Sequence, residues 1–189
     1  YALQNLASIC LELGKSEGLM NALEKLRALP VKTADLQNKI FAFSYQLEFS
    51  YYVKYLHYQK GIGIISEIKK GIERIGDKFD KQYQLHFYYH FAVLYFVIKD
   101  YRNALRWLNI VLNDPEKELR KDLYCFARIV HLIIHYEMGN QLLMKSAVRS
   151  TYRFLYKHKR LFALETVILK FIRNRMSKLN TQKQILKAF

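Results

Sequence analysis

The sequence predicts an all-α protein built from antiparallel helical hairpins. Three observations carry that expectation. Apolar residues recur at helical spacing along nearly the whole chain, while strand-like alternation is absent. Two prolines and seven glycines in 189 residues are too few for the tight turns of an all-β protein. The breaks are short and regularly placed, so helix follows helix through tight connections.

Taken in order, an opening helix ends at Gly14-Lys15-Ser16, and a second runs to about Leu29. Pro30 stops it, because proline lacks a donor and clashes with the preceding turn. Thr33 or Asp35 caps a long helix that reaches about Gln59 and is broken by Gly61. Gly76-Asp77 ends the next. Later turns fall at Lys99-Asp100, Asp114-Pro115 and Gly139-Asn140. Pro115 occupies a first helical turn capped by Asp114. A weaker break lies at Lys157–Arg160 and a last one near Ser177–Thr181. The expected count is nine or ten helices, grouped as units 1–30, 33–76, 80–113 and 116–157, with C-terminal helices over 160–189, in one domain.

The turns at Gly61, Asp100 and Gly139 are 39 residues apart, which is the mark of a repeat. Twelve residues before them stand Phe49, Tyr88 and Ala127; nine before stand Tyr52, Phe91 and Val130; five before stand Leu56, Tyr95 and Ile134. The match loosens after the turn. A single helical hairpin cannot hide both faces, so such units stack. The stretch Phe87–Ile98 is apolar on every side and is expected to be enclosed all round.

The middle unit carries a signature: Tyr88-x2-Phe91-Ala92-x2-Tyr95, then Asp100-Tyr101-x2-Ala104-x3-Leu108-x2-Val111 and Pro115. This resembles the tetratricopeptide repeat. The resemblance implies a right-handed α-solenoid of hairpins, with Ala92 and Ala104 as the small residues that let paired helices approach. Tyr88, Phe91, Ala92, Tyr95, Ala104, Leu108 and Val111 are then expected to be inaccessible. Three departures stand against it. Lys99 replaces the usual turn glycine, the period exceeds about 34 residues, and His131 and Lys69 interrupt the pattern in the flanking units. Another α-solenoid or an irregular helical bundle is the alternative.

The formal net charge is +15, and it is lopsided. From Asn140 onward there are twelve Lys or Arg against one acid, Glu165, so the last 50 residues carry +11 and the first 139 carry +4. No apolar run reaches the roughly 18 residues of a membrane span. Cys10 and Cys125 cannot build a disulfide framework and suggest a reducing compartment, here read as cytoplasmic. The chain begins at Tyr1 without a leader pattern and reads as part of a longer protein.

No nucleotide-binding glycine loop, zinc-protease pair, CxxC or GxSxG motif is present, and acids are scarce, so no catalytic residues are expected. His86/His90 and His131/His135 are i, i+4 pairs, each on one helix face. Four imidazoles can serve one transition metal, but the two pairs sit at different offsets from their turns and nothing completes the set. They read as amphipathic side chains; neither a metal nor a cofactor is expected.

Two surfaces remain as binding candidates. The tetratricopeptide resemblance places His86, Tyr89, His90, Val93, Phe96 and Val97 on a concave side, which either takes a peptide or is filled by the array's own helices. Arg149, Arg153 and Lys157 share one face of a later helix, with Arg160 just beyond. They form either a solvated face or a contact for an acidic partner. The expectation is a non-catalytic scaffold for protein–protein interaction. The competing reading is a nucleic-acid-binding helical array using the basic C-terminal third.

Overall fold

The computed structural model describes residues 2–116, 118–160 and 162–174. All regular structure among them is helical. The helices are α1 (Ala2–Glu12), α2 (Ser16–Arg27), α3 (Ala34–Lys54), α4 (Tyr58–Ile75), α5 (Lys81–Val97), α6 (Tyr101–Leu112), α7 (Lys121–Glu137) and α8 (Gln141–Lys157). A ninth, α9, covers 163–174, and a 3-10 turn, Gly76–Lys78, follows α4. The break expected near Ser177–Thr181 lies outside the described residues. No described helix is long and apolar enough to cross a membrane.

The chain divides into two compact units, Tyr1–Trp107 and Leu108–Phe189, with the boundary inside α6. In the first unit α1 pairs with α2 and α3 with α4, and α3 also touches both α1 and α5. Ala7, Cys10, Leu11, Leu19, Leu23, Tyr51 and Tyr52 form a core across α1, α2 and α3. Edge-on aromatic contacts join Phe49 to Phe91 and Phe91 to Trp107. In the second unit α7, α8 and α9 close around Cys125, Ile129, Leu132, Met144, Val148, Leu155, Leu169 and Ile172.

One backbone device closes α1, α3, α5, α7 and α8. The residue after the helix adopts a left-handed conformation at Gly14, Leu56, Lys99, Gly139 and Lys159, with φ between 54° and 70°. At each, its own N–H donates to the carbonyl three residues back, and the next N–H donates to the carbonyl five back. Examples are Lys99 to Phe96 at 2.9 Å and Asp100 to Tyr95 at 2.8 Å. This is the Schellman arrangement, which satisfies the carbonyls that a helix end leaves open. Lys99 thus fills the glycine position conformationally, although its Cβ makes the left-handed region costly.

These turns correct the repeat register. The break expected at Gly61 lies five residues earlier, at Leu56, and Gly61 is buried inside α4. The left-handed residues 14, 56, 99 and 139 are spaced 42, 43 and 40 apart. In this register equivalent positions agree. Seven before the turn stand Ala7, Phe49, Ala92 and Leu132, and five after stand Leu19, Gly61, Ala104 and Met144. Nine after stand Leu23, Ile65, Leu108 and Val148, and twelve after stand Leu26, Ile68, Val111 and Thr151; all sixteen are buried.

Gly61 earns its place by close approach, since a Cβ there would lie 2.8 Å from Leu94 Cδ1. Gly71 does the same against Phe41, whose ring occupies the space a Cβ would need.

Other expectations change locally. Thr33, not Asp35, caps α3, accepting from Leu36 N at 3.3 Å. Asp35 instead pairs with Lys39 one turn on. Asp114 accepts from Glu116 N at 2.9 Å, but this closes a turn, and α7 begins only at Lys121. Phe91, Ala92, Ala104, Leu108 and Val111 are buried as expected, whereas Tyr88 and Tyr95 are half-buried. Phe87–Ile98 is not enclosed all round, because Val97 and Ile98 are exposed at its end.

A polar cluster stitches α2, α3 and α4, joining the buried Ser44, Tyr45, Glu48 and Tyr52 of α3 to the exposed Arg27 and Glu67. Arg27 meets Glu48 at 2.6 Å, donates to Ser44 Oγ at 3.0 Å and lies over the Tyr45 ring at 3.9 Å. Tyr52 donates to Glu48, and Tyr45 donates to Glu67. Burial, then the Glu67 hydrogen bond, pushes the Tyr45 hydroxyl up to about 12.

Two stability measurements check this geometry. Lys99→Gly removes a left-handed penalty of about 1–2 kcal/mol, less about 0.4–1 kcal/mol for the freer unfolded chain. Its urea midpoint is expected to rise, and a fall refutes the turn. Gly71→Ala is expected to cost about 1–3 kcal/mol by overpacking; an unchanged midpoint refutes the α3–α4 contact.

Candidate interaction surface

The α8 helix is oriented by its apolar stripe. Met144, Val148, Thr151 and Leu155 are buried at helical spacing, and the three apolar ones join the core with α7 and α9. Arg128 of α7 fixes α8 further: it donates to Ser150 Oγ at 2.7 Å and to the Tyr124 hydroxyl at 3.2 Å, with its guanidinium 4.9 Å from the Phe154 ring centre. The opposite face must then look outward. Lys145, Arg149, Arg153 and Lys157 follow at four-residue intervals there, all exposed, with Arg160 exposed just beyond.

Among the described residues Arg149, Arg153, Lys157 and Arg160 form no ion pair, and Glu165 does not neutralise them. Glu165 is itself buried in α9. No acid lies on α8. The field of this face is therefore uncompensated by its own helix.

Sequence reading of the cations alone missed two residues on this face. Tyr152 and Tyr156 are 46% and 69% exposed, and their rings stack at 6.1 Å with 12° between planes. Their spacing from Arg149 and Arg153 was the available signal. The surface is thus cationic and aromatic together, the composition enriched at the energetic centres of protein interfaces.

The other candidates are distributed differently. His86 is buried, with its ring 4.1 Å from that of His90. His90 Nδ1 is 2.8 Å from the His86 carbonyl oxygen and donates to it. Tyr89, His90, Val93 and Phe96 are half-buried on α5, so the concave candidate narrows to these four, with Val97 exposed beside them. Cys10 and Cys125 are buried, and burial pushes the Cys125 thiol up, away from thiolate chemistry.

The second histidine pair sits at the end of α7. His135 Nε2 is 3.2 Å from His131 Nε2, and Asn140 Nδ2 is 2.9 Å from His135 Nδ1. Burial first, then the charges of His135 and Arg128, holds His131 down to about 4; burial also lowers His135. Among the described residues no three or more metal-ligating side chains converge.

Comparison with family models, with curated proteins and with solved structures finds no match.

A pH titration checks the burial of His131. Its folded value lies below the ordinary 6.5, so the unfolded chain binds the proton more readily. The stability from burying the neutral ring is therefore full above about pH 6.5 and is lost as pH falls toward 4. In metal-free buffer the wild type is expected to lose about 2 kcal/mol more than His131→Gln between pH 7 and 4.5. Parallel urea curves for the two proteins would refute the assignment.

Proposed function

We propose that this chain is a non-catalytic helical-repeat scaffold that binds a protein or peptide partner. The observation that carries the reading is the outward face of α8. It combines Arg149, Arg153 and Lys157 with the stacked, exposed Tyr152 and Tyr156. Solubility needs no such clustering of one sign of charge on one helix. Exposed tyrosines beside arginines supply contact area and bidentate donors to a carboxylate-rich surface. An acidic segment carrying apolar side chains is the partner this chemistry fits.

The repeat reading belongs to the same proposal. A hairpin unit of about 40 residues, a left-handed turn residue, and Gly61 and Ala104 at the same place in their second helices favour a tetratricopeptide-like α-solenoid. Neighbouring first helices α1, α3 and α5 support it within the first unit. In such an array the half-buried Tyr89, His90, Val93 and Phe96 form a second, smaller contact.

Nucleic acid is the rival occupant, because stacked rings beside cations also suit single strands. An acidic peptide and a single-stranded oligonucleotide of equal charge separate the two. The peptide is expected to bind with an on-rate that falls as salt shortens the Debye length to about 8 Å near 0.15 M. Reversing Arg149, Arg153 and Lys157 to Glu is expected to slow association at least about tenfold while the circular dichroism spectrum is unchanged. Peptide binding that ignores the reversal refutes the α8 contact, and stronger oligonucleotide binding with a steep salt slope transfers the site to nucleic acid.

A further inference from the structure

His131 and His135 touch through their Nε2 atoms on a half-buried face of α7. The two residues are one helical turn apart in the last two turns of α7, with ring centres 4.4 Å apart and Nε2 atoms 3.2 Å apart. Two imidazole nitrogens that each bind one metal at about 2.05 Å stand about 2.9–3.4 Å apart for angles near 90–110°. The pair is therefore already at the bite distance of a chelate. We propose that His131 and His135 bind one divalent late transition-metal ion (copper, nickel or zinc) through their two Nε2 atoms at the C-terminal end of α7, with water completing its coordination.

Four features support this assignment. Imidazole is a preferred donor for these metals. Both residues are half-buried rather than buried as His86 is. Asn140 Nδ2, placed as a donor, stands 2.9 Å from His135 Nδ1; metal binding requires that amide turned, so that Oδ1 accepts, the proton is held on Nδ1 and Nε2 is left for the metal. That residue is delivered by the turn itself, since the Asn140 N–H donates to the His135 carbonyl at 3.0 Å beside left-handed Gly139. Finally, the end of a helix carries partial negative charge, which favours a cation.

The His86/His90 pair does not share this setting, because His86 is buried. Arg128, whose charge reaches His131, acts against a dication and keeps the affinity to that of a two-ligand chelate. The proposal is independent of the partner read on α8.

Nickel(II) chloride titrated into the chain at neutral pH is expected to bind one equivalent by calorimetry. His131→Gln and His135→Gln each abolish that binding, Asn140→Ala weakens it about tenfold, and His57→Gln leaves it unchanged. Because a change in α7 can also loosen its packing, the wild-type chain supplies a second readout. Zinc(II) is expected to shift the Nε2 nitrogen resonances of His131 and His135 while His135 Nδ1 stays protonated. Absence of binding to the wild type, binding that survives both glutamine variants, or a zinc shift confined to other histidines overturns the assignment.

Discussion

The left-handed residue that closes each hairpin is the constraint on which the rest of this structure depends. At Gly14, Leu56, Lys99 and Gly139 it reverses the chain within three residues, so the second helix starts almost where the first ends. Such a short connection fixes which face of the second helix meets the first. Positions five, nine and twelve after the turn are then buried in every unit, whatever residue occupies them. Where the space is narrow the residue is small, as at Gly61 and Ala104; where it is wider, Leu19 and Met144 fill it. Uniform geometry is met by complementary side chains rather than by a uniform sequence, which is how interiors reach close packing.

The same constraint explains what was legible in the sequence. Helical class and most turns follow from apolar period and from Gly14, Pro30, Gly76 and Gly139. The register of the second unit does not, because glycine marks two different needs. At Gly139 it supplies a left-handed turn; at Gly61 it supplies close approach to Leu94. Leu56 occupies the turn without any residue-type signal, held there by the bonds from Leu56 N to Val53 O and from His57 N to Tyr52 O. Asp114-Pro115 reads as a helix start but forms a turn, and α7 starts at Lys121, after Arg120. The Arg27–Glu48–Tyr52 cluster was equally hidden, since it joins an arginine of α2 to a buried carboxylate of α3 that no local pattern pairs.

The candidate surface was half legible. A four-residue period placed Arg149, Arg153 and Lys157 together, and the structure puts all three on the outward side of α8. The tyrosines on the same face were not singled out, because a ring's burial depends on the neighbour it finds. Tyr152 and Tyr156 find each other and solvent. His86 went the other way, from a candidate contact on the concave side to a buried ring against His90.

The register of the hairpins is tested most directly by comparing two glycines of one helix. A Cβ at Gly61 meets Leu94, whereas a Cβ at Gly63 meets nothing within 4 Å. Urea unfolding of Gly61→Leu is expected to show a loss of about 1–3 kcal/mol. Gly63→Ala is expected to gain about 0.5–1 kcal/mol, the helix propensity difference. Tolerance of leucine at Gly61 together with destabilisation at Gly63 would contradict the account, because the turn, and with it every buried position counted from it, would lie elsewhere.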